Sequence, residues 1–443
     1  MSAPALRKSL GPVEYFTFGF GSMVGVGWLV LIDDWLARGG PGGAMLGFLL
    51  GGLALLPVAL TYGRLVAAVP DAGAEIAYAE GVLSPFTSFA AAWTMVLAYA
   101  IVCPWEAVAV GNLLARVFPA LNSAPLYALG GKTIYAPRLL AGLLLTLVIV
   151  AVNWRGIRPS GRFQNAATFG LLLLFALFTA LGFANGSPSN WQPLFTSAGP
   201  WVSALLVMQV VPYFMTGFES VGKGSEEART AFDPRDFGVA ILAAILVGIA
   251  FYVTIVAVVS WIFPWQELVA GKIGTEAAFE RVFGSRLLSR LIVFAALLSL
   301  LKIFNGNFVA STRLLFGIGK RRLVHPALAE VHAENGTPKN AILLMAALTL
   351  GATFLGDAVL VPISEVGSLA VGVGWLSACV SFLGRARRSG GPGVVTALLG
   401  LIVSAAIVLM KVLPGVPGSF ASTEWIAFGA WSLLGLSLYL FRR

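Results

Sequence analysis

Two apolar stretches of this 443-residue chain are interrupted by glycine in the same way, and their backbone groups are suited to binding a small charged molecule. Residues 18–28 read FGFGSMVGVGW, and residues 212–220 read PYFMTGFES. A membrane helix broken in mid-span leaves N–H and C=O groups without partners, which is tolerated where the gap lines a cavity. Two such breaks at matching positions of two halves are typical of a secondary-transporter site. The sequence therefore predicts a protein that moves a small polar solute across a membrane.

A broken helix offers an anion site and a cation site next to each other. The second half-helix begins with free N–H groups, and the first half-helix ends with free carbonyls. An α-amino acid has a carboxylate and an ammonium on one carbon, and glycine lets the backbone approach it. We expect the carboxylate on the N–H groups from Gly25 to Trp28, and the ammonium on carbonyls near Phe20 and Phe214. The residues alone leave open that the glycines only permit tight helix packing.

Each candidate substrate-binding residue lies in one or the other of the two interrupted stretches. They are Gly21, Ser22, Gly25, Val26, Gly27, Tyr213, Phe214, Thr216, Gly217 and Phe218. The aromatic members flank the second break, where simple packing is the alternative to a role as a gate.

Four polar residues inside apolar spans are candidates for coupling or gating: Glu106, Glu219, Lys302 and Asn305. An ionisable group at membrane depth is a functional candidate by default. Glu219 lies beside the second break, where the alternative is a neutral glutamate bonded to freed backbone groups. Glu106 either lines the cavity and favours an amine-bearing substrate, or forms a buried ion pair with Lys302.

The composition excludes a soluble protein. Hydrophobic residues make up 58% of the chain and charged residues only 11%, with a mean hydropathy of +0.88, whereas soluble domains have about 25% charged residues. The net charge of +9 comes from short loops between apolar runs, so it indicates topology and not a nucleic-acid partner. His325 and His332 do not have the spacing of a helical metal pair, so neither an enzyme nor a cofactor is expected.

Runs of about 20 apolar residues, the length that crosses a bilayer, predict about twelve spans in an all-α integral membrane protein. They lie near 13–37, 44–69, 86–117, 137–153, 163–185, 200–222, 237–263, 287–319, 339–356, 360–384, 393–414 and 423–441. A short helix outside the bilayer is expected at Gly274–Phe283. Lys and Arg concentrate in the loops on one side, as at Lys320–Arg322, which predicts a multi-pass plasma-membrane protein with both termini cytoplasmic.

Broken spans one and six divide the chain into two inverted halves of five spans each. The predicted units are 13–190, 199–384 and a peripheral pair of spans at 392–443. The odd number of spans in each half gives the halves opposite orientations. The expected partners are the lipid bilayer and a small amino acid or amine, and the sequence leaves open a monomer or a homodimer.

Several short motifs occur in the order and spacing of one transporter family. They read GSMVGVGW at 21–28, GGPGG at 39–43, VPDAGAE at 69–75, GFE at 217–219 with EEAR at 226–229, and ASTRLLF at 310–316 running through GTP at 336–338. Together they resemble the amino acid–polyamine–organocation superfamily. The resemblance implies an amino acid permease that works by alternating access.

The resemblance also implies roles for single residues. It places Tyr213 where relatives have an aromatic that closes over the substrate, and Glu219 where a proton-linked or helix-orienting role applies. Arg313 is implied as a structural partner at the inner gate. Spans one and eight form the place where sodium-coupled relatives bind an ion, so our hypothesis is that Lys302 replaces the sodium. Transport would then be sodium-independent, and the sequence leaves open whether it is proton-coupled or an exchange.

Two departures from the family pattern affect the substrate and the coupling. Val26 and Trp28 are bulky where amino-acid carriers mostly have small or hydroxyl residues, and the fifth span has no lysine. Apolar cavity walls favour neutral L-amino acids. Glu106 and Glu219 favour amines, polyamines or other small cationic metabolites, which are the alternative substrates.

Overall fold

The computed structural model describes residues 5–271, 274–356, 360–389, 393–416 and 419–442, and these are almost entirely α-helical. The helices up to residue 190 are α1 Pro12–Met23, α2 Gly27–Val30, α3 Ile32–Ala54, α4 Leu56–Ala68, α5 Glu75–Ala79, α6 Pro85–Ala100, α7 Val102–Val117, α8 Ala136–Trp154 and α9 Ile157–Asn185. A two-stranded antiparallel hairpin, β1 Pro125–Leu129 and β2 Lys132–Tyr135, precedes α8.

The later helices are α10 Pro200–Met208, α11 Val211–Phe214, α12 Ser220–Lys223, α13 Arg235–Ile262, α14 Trp265–Gly271, α15 Thr275–Phe283, α16 Arg286–Lys320, α17 Lys339–Thr353, α18 Leu360–Ser389, α19 Val394–Val412 and α20 Ser422–Leu440. The expected short helix outside the bilayer is present as α15. The hairpin and α14 were not predicted.

Nine helical segments of the described residues are long and apolar enough to cross a membrane. The other three predicted spans correspond to the broken segment α10–α12, to the 15-residue helix α17 and to α20. The prediction of an all-α, multi-span membrane fold is confirmed. The division into units 13–190, 199–384 and 392–443 remains a prediction.

The predicted boundary between spans one and two is present in the structure. Within α3, which is assigned from Ile32 to Ala54, the backbone at Gly40 is not helical, and two helices meet there at a kink. At the kink Gly40 has φ +62°, a left-handed conformation that glycine adopts without a steric penalty, and Pro41 follows it. The glycine-proline motif therefore separates two helices, between the ends predicted for spans one and two at residues 37 and 44.

The two helix breaks pack directly on each other. Residues 24–26 separate α1 from α2, and Val24 has an extended backbone there. Residues 215–219 separate α11 from α12, and Gly217 among them has φ +125°. A Cβ on Gly217 would lie 2.5 Å from the carbonyl carbon of Ser22 and 2.6 Å from the nitrogen of Met23. Backbone thus meets backbone at the centre of the protein, and only glycine permits this approach.

We predict that Gly217→Ala lowers the free energy of unfolding by more than about 1 kcal/mol, because alanine is strained at positive φ and its Cβ would overlap the backbone of α1. The matched control is Gly429→Ala in α20, where nothing lies within 4 Å of an added Cβ. That change is expected to be neutral or to stabilise by about 0.5–1 kcal/mol. Thermal unfolding of the purified protein measures both, and equal melting temperatures for the two variants would contradict the prediction.

Candidate functional site

A small cavity lies where the two breaks meet. Its walls come from the first break, the second break, α7 and α16. The lining residues are Ser22, Met23, Gly25, Val26, Gly27, Leu31, Val102, Trp105, Glu106, Tyr213, Phe214, Thr216 and Ile303.

Seven of the ten predicted substrate-binding residues line this cavity: Ser22, Gly25, Val26, Gly27, Tyr213, Phe214 and Thr216. The other three face protein. A Cβ on Gly21 would run into the side chain of Gln164, and Gly217 packs on the backbone of α1. Phe218 stacks on Trp375 with ring centroids 5.4 Å apart. These three residues shape the breaks without reaching the cavity.

The amide end of the first break is open to a ligand. Within the described residues, the backbone N–H groups of Val26, Gly27 and Trp28 have no hydrogen-bond acceptor. Val26 and Gly27 also line the cavity. N–H groups at the start of a half-helix are suited to an anion such as a carboxylate.

The carbonyl end of the first break is bonded to side chains of α13 and α16. Lys302 donates to the carbonyl of Val24 and, at 3.4 Å, to that of Gly21. Ser299 donates to the carbonyls of Val24 at 3.0 Å and Gly25 at 2.7 Å. The remaining two bonds come from Asn307 to Ser22 and from Tyr252 to Met23. The protein therefore supplies its own donors at this end of the break.

Lys302 has no exposed surface, and its ammonium lies 5.1 Å from the centroid of the Phe20 ring. The ammonium thus has carbonyl oxygens on one side and an aromatic face on the other, both of which favour a cation. It forms no ion pair with Glu106 within hydrogen-bond distance, so the direct pair considered from the sequence is absent between these two described residues.

Glu106 faces the cavity from α7 and is 2% exposed. Its Oε1 would lie 3.3 Å from a Cβ on Gly25, so the carboxylate sits beside the first break. Its Oε2 has no hydrogen-bond partner among the described residues. A buried carboxylate oxygen without a partner is costly, and a ligand N–H donor in the cavity would satisfy it.

One of the two carbonyls expected to bind an ammonium is engaged by the protein. The carbonyl of Phe20 accepts from the N–H of Val24 at 3.0 Å. The carbonyl of Phe214 accepts no hydrogen bond within the described part of the chain, and Phe214 lines the cavity. The ammonium contacts that remain are therefore on the side of the second break and on Glu106.

Glu219 closes the second break by bonding its freed groups. Its carboxylate accepts from the N–H of Gly217 at 3.0 Å, from the hydroxyl of Thr216 at 3.0 Å and from Tyr99 at 3.0 Å. Glu219 is fully buried and does not line the cavity. It reaches the cavity through Thr216, which lies in the wall.

Asn305 lies away from the cavity in a network that joins four helices. Its amide donates to Gln164 at 2.8 Å, and its oxygen accepts from Asn153 at 3.0 Å and Ser160 at 3.1 Å. Gln164 in turn donates to the carbonyl of Thr17 in α1. The contacts of Asn305 hold α1, α8, α9 and α16 together, so the arrangement gives it a structural role.

A second cavity adjoins the first and opens to the surface of the protein. It shares Leu31, Trp105, Tyr213 and Phe214 with the central cavity and continues between Asp34, Arg38, Glu365 and Glu424. The ring of Tyr213 lies 5.2 Å from that of Phe214, edge to face, at the boundary between the two cavities. An aromatic pair at this boundary has the position of a gate.

The opposite side of the central cavity is closed by ion pairs. Arg313 and Glu227 are both fully buried and bind each other through two contacts of 3.0 Å. Nearer the surface Arg321 binds Asp71 through two contacts of 3.1 Å. Burial acts to raise the pKa of Asp71, but the hydrogen bonds and charge of Arg321 outweigh it and hold that pKa below its ordinary value. The carboxylate is therefore charged at neutral pH, and the pair persists there.

Sequence reasoning missed several residues of the site, although α7 held a usable signal. Val102, Trp105 and Glu106 have the spacing i, i+3 and i+4, which puts them on one helix face. Ile303 follows Lys302, and its Cδ1 would lie 2.8 Å from a Cβ on Gly25. No local pattern marks Ile303, because its role depends on where α16 crosses the break.

We predict that Asn305→Ala lowers thermal stability, since it leaves the buried Ser160 hydroxyl and the Gln164 carbonyl oxygen without their partner, at about 1–3 kcal/mol for each such group. It also removes one of the two hydrogen bonds of the Asn153 amide nitrogen. Ligand affinity of the folded protein should be unchanged. Ser404→Ala, which removes one buried hydrogen bond within α19, is the control with a smaller expected loss. A large loss of affinity with unchanged stability would contradict this structural role.

Comparison with known proteins gives consistent matches along the chain. The family model described as "Amino acid permease" matches residues 15–390. The branched-chain amino acid permease BcaP of Bacillus subtilis is 26% identical, over 98% of this chain and 93% of that protein. The methylthioribose transporter of the same organism is 25% identical over the same shares. The aromatic amino acid transport protein AroP of Escherichia coli is 23% identical, over 93% of this chain and 91% of that protein. The resemblance drawn from the sequence motifs is confirmed.

Proposed function

Since this chain belongs to the amino acid permease family and is therefore a membrane transporter of amino acids, we propose that it carries neutral L-amino acids by alternating access without sodium. The observation that supports this most directly is the Lys302 ammonium on the carbonyls of the first break. Sodium independence, the class of substrate and alternating access are each supported by different residues.

Sodium independence follows from the ligands of Lys302. In transporters with broken helices, unwound carbonyls and the C-terminal ends of half-helices are the groups that coordinate Na⁺. Here the carbonyls of Gly21 and Val24 bind an ammonium of the same charge. A fixed ammonium in this position compensates the free carbonyls of the break as a bound sodium ion would. Transport therefore needs no sodium.

The substrate class follows from the groups that face the cavity. The amides of Val26 and Gly27 are suited to a carboxylate, and Glu106 with the carbonyl of Phe214 is suited to an α-ammonium. Val102 and Ile303 offer apolar contacts to a side chain. A neutral amino acid has both charges and an apolar remainder, so it satisfies all three sets of groups.

Charge balance also favours a zwitterion. Glu106 and Lys302 carry formally opposite charges beside the same break, so a substrate of zero net charge leaves the region balanced. The name of one relative, a branched-chain amino acid permease, agrees with this choice. A relative of similar identity is a methylthioribose transporter, so proteins similar in sequence to this chain also carry other solutes.

A carrier of amines or other small cationic metabolites is the second candidate, because the Oε2 atom of Glu106 has no partner among the described residues. An amine would satisfy Glu106 but leave the amides of the first break without an anion. The two candidates therefore differ in whether the carboxylate of the ligand is required.

Alternating access is supported by the unequal closure of the two sides. The adjoining cavity leads out past Tyr213, whereas buried ion pairs close the other side. With both termini in the cytoplasm of a plasma-membrane protein, the open side is the extracellular one. The two predicted halves, 13–190 and 199–384, would move against each other around the central cavity.

We predict that neutral aliphatic L-amino acids raise the melting temperature of the purified protein, and that the corresponding amines without a carboxylate do not. The amides of the first break are the reason, since only the amino acids present an anion to them. Gly25→Ala should abolish the effect, because its Cβ would lie 2.8 Å from Ile303 and fill the cavity. Stabilisation by amines alone would overturn the substrate class and favour the second candidate.

We predict that uptake into proteoliposomes is equal in sodium and in choline medium, and that Lys302→Ala lowers it by about tenfold or more, since one charged hydrogen bond contributes about 1.5–3 kcal/mol. Adding sodium should partly restore the variant, because Na⁺ is able to take the carbonyls that the ammonium leaves. Arg286→Ala, at the exposed first residue of the same helix, is the control. Normal sodium-free uptake by Lys302→Ala would disprove the lysine mechanism.

A further inference from the structure

A second buried lysine lies beneath the other helix break. Lys223, at the end of α12, binds the carboxylate of Glu75 in α5 at 2.5 Å, and neither side chain is exposed. Tyr62 donates to the same carboxylate oxygen at 2.7 Å. The Lys223 ammonium also lies 4.9 Å from the centroid of the Tyr99 ring.

This pair is connected to the cavity wall through Glu219. Lys223 donates to the backbone carbonyl of Glu219 at 3.3 Å, and Tyr99 donates to the Glu219 carboxylate at 3.0 Å. That carboxylate binds Thr216 and the N–H of Gly217, and Thr216 lines the cavity. Two residues, Glu219 and Thr216, therefore separate Lys223 from the cavity.

We propose that Lys223 and Glu75 are positioning residues that fix the second break in its substrate-binding arrangement. The inference rests on the proposed function and adds a determinant of affinity outside the cavity. Glu75 holds the ammonium in place, the ammonium holds the carbonyl of Glu219, and Glu219 holds Thr216 and Gly217. Residues 215–219 have no helical hydrogen bonds across the break to define their conformation, so these side-chain bonds define it.

A purely structural ion pair would behave differently. Removing one partner of a buried pair leaves an uncompensated charge and destabilises the fold, whereas replacing both partners is often neutral. A pair that only stabilises the fold is thus dispensable once both charges are removed. A positioning pair is not dispensable in this way, because the carbonyl of Glu219 loses its donor even when the double variant folds as stably as the wild type.

The test is substrate binding by Lys223→Met combined with Glu75→Gln, measured by titrating the purified protein with the neutral amino acid that stabilises the wild type most. Glutamine keeps an acceptor for Tyr62, and neither new side chain carries a charge. We expect a melting temperature near that of the wild type and an affinity lower by about fivefold or more, the order of one lost hydrogen bond.

The control is Lys339→Met combined with Glu330→Gln. These two side chains form an ion pair of 2.8 Å at the start of α17, both are exposed, and the pair is not bonded to any of residues 215–219. We expect unchanged affinity for the control. Wild-type affinity in the Lys223 and Glu75 double variant, or an equal loss in the control, would overturn the inference.

Two further outcomes are decisive. If the double variant does not fold, Glu75→Asp, which keeps both charges and shortens one side chain, replaces it, and unchanged affinity there overturns the inference. If the wild type binds no amino acid at all, the proposed function fails and the inference with it. Binding by the wild type with no effect of either substitution defeats the inference alone.

Discussion

The arrangement of this site depends on one interaction, the ammonium of Lys302 on the carbonyls at the end of α1. A half-helix that ends in the middle of a membrane protein exposes a partial negative charge and several unsatisfied oxygens. Lys302, Ser299 and Asn307, all from α16, bond these oxygens. The carbonyl end of the break is consequently fixed to α16, and the amide end is left for a ligand. The two ends of the break therefore differ: the carbonyls are bonded, and the amides without acceptors are suited to an anion.

The second break is stabilised by the opposite kind of group. A carboxylate, that of Glu219, bonds the freed N–H of Gly217, and Lys223 bonds the carbonyl of the same glutamate. The first break takes its donors from a distant helix, whereas the second takes most of its partners from its own segment. The contact between the breaks is backbone on backbone, through Gly217 and Ser22. A shift of either segment must therefore displace the other.

The sequence was sufficient for the fold class and for much of the cavity, because both depend on local signals. Apolar runs identify spans, and glycine within a span identifies a break, so seven of the ten candidate substrate residues lie in the wall. The sequence patterns could not predict side-chain directions or contacts between distant segments. Gly21 and Phe218 have the same local signals as Gly25 and Phe214, and only the direction of each side chain separates them. Lys223 and Glu75 sit in segments 148 positions apart, and nothing local indicates that they meet.

Charge compensation connects these features. Burying an ion costs several kcal/mol unless partners replace its water. The buried charges described above are compensated in three ways. Lys223 and Arg313 bind carboxylates, Lys302 binds carbonyls, and Glu219 accepts hydrogen bonds from three donors. Glu106 differs from them, because one of its oxygens has no partner among the described residues and faces the region beside the amides of the first break. A ligand that brings an ammonium to Glu106 and a carboxylate to those amides satisfies both at once. Such a ligand would complete the same pattern of compensated charges that holds the rest of the site together.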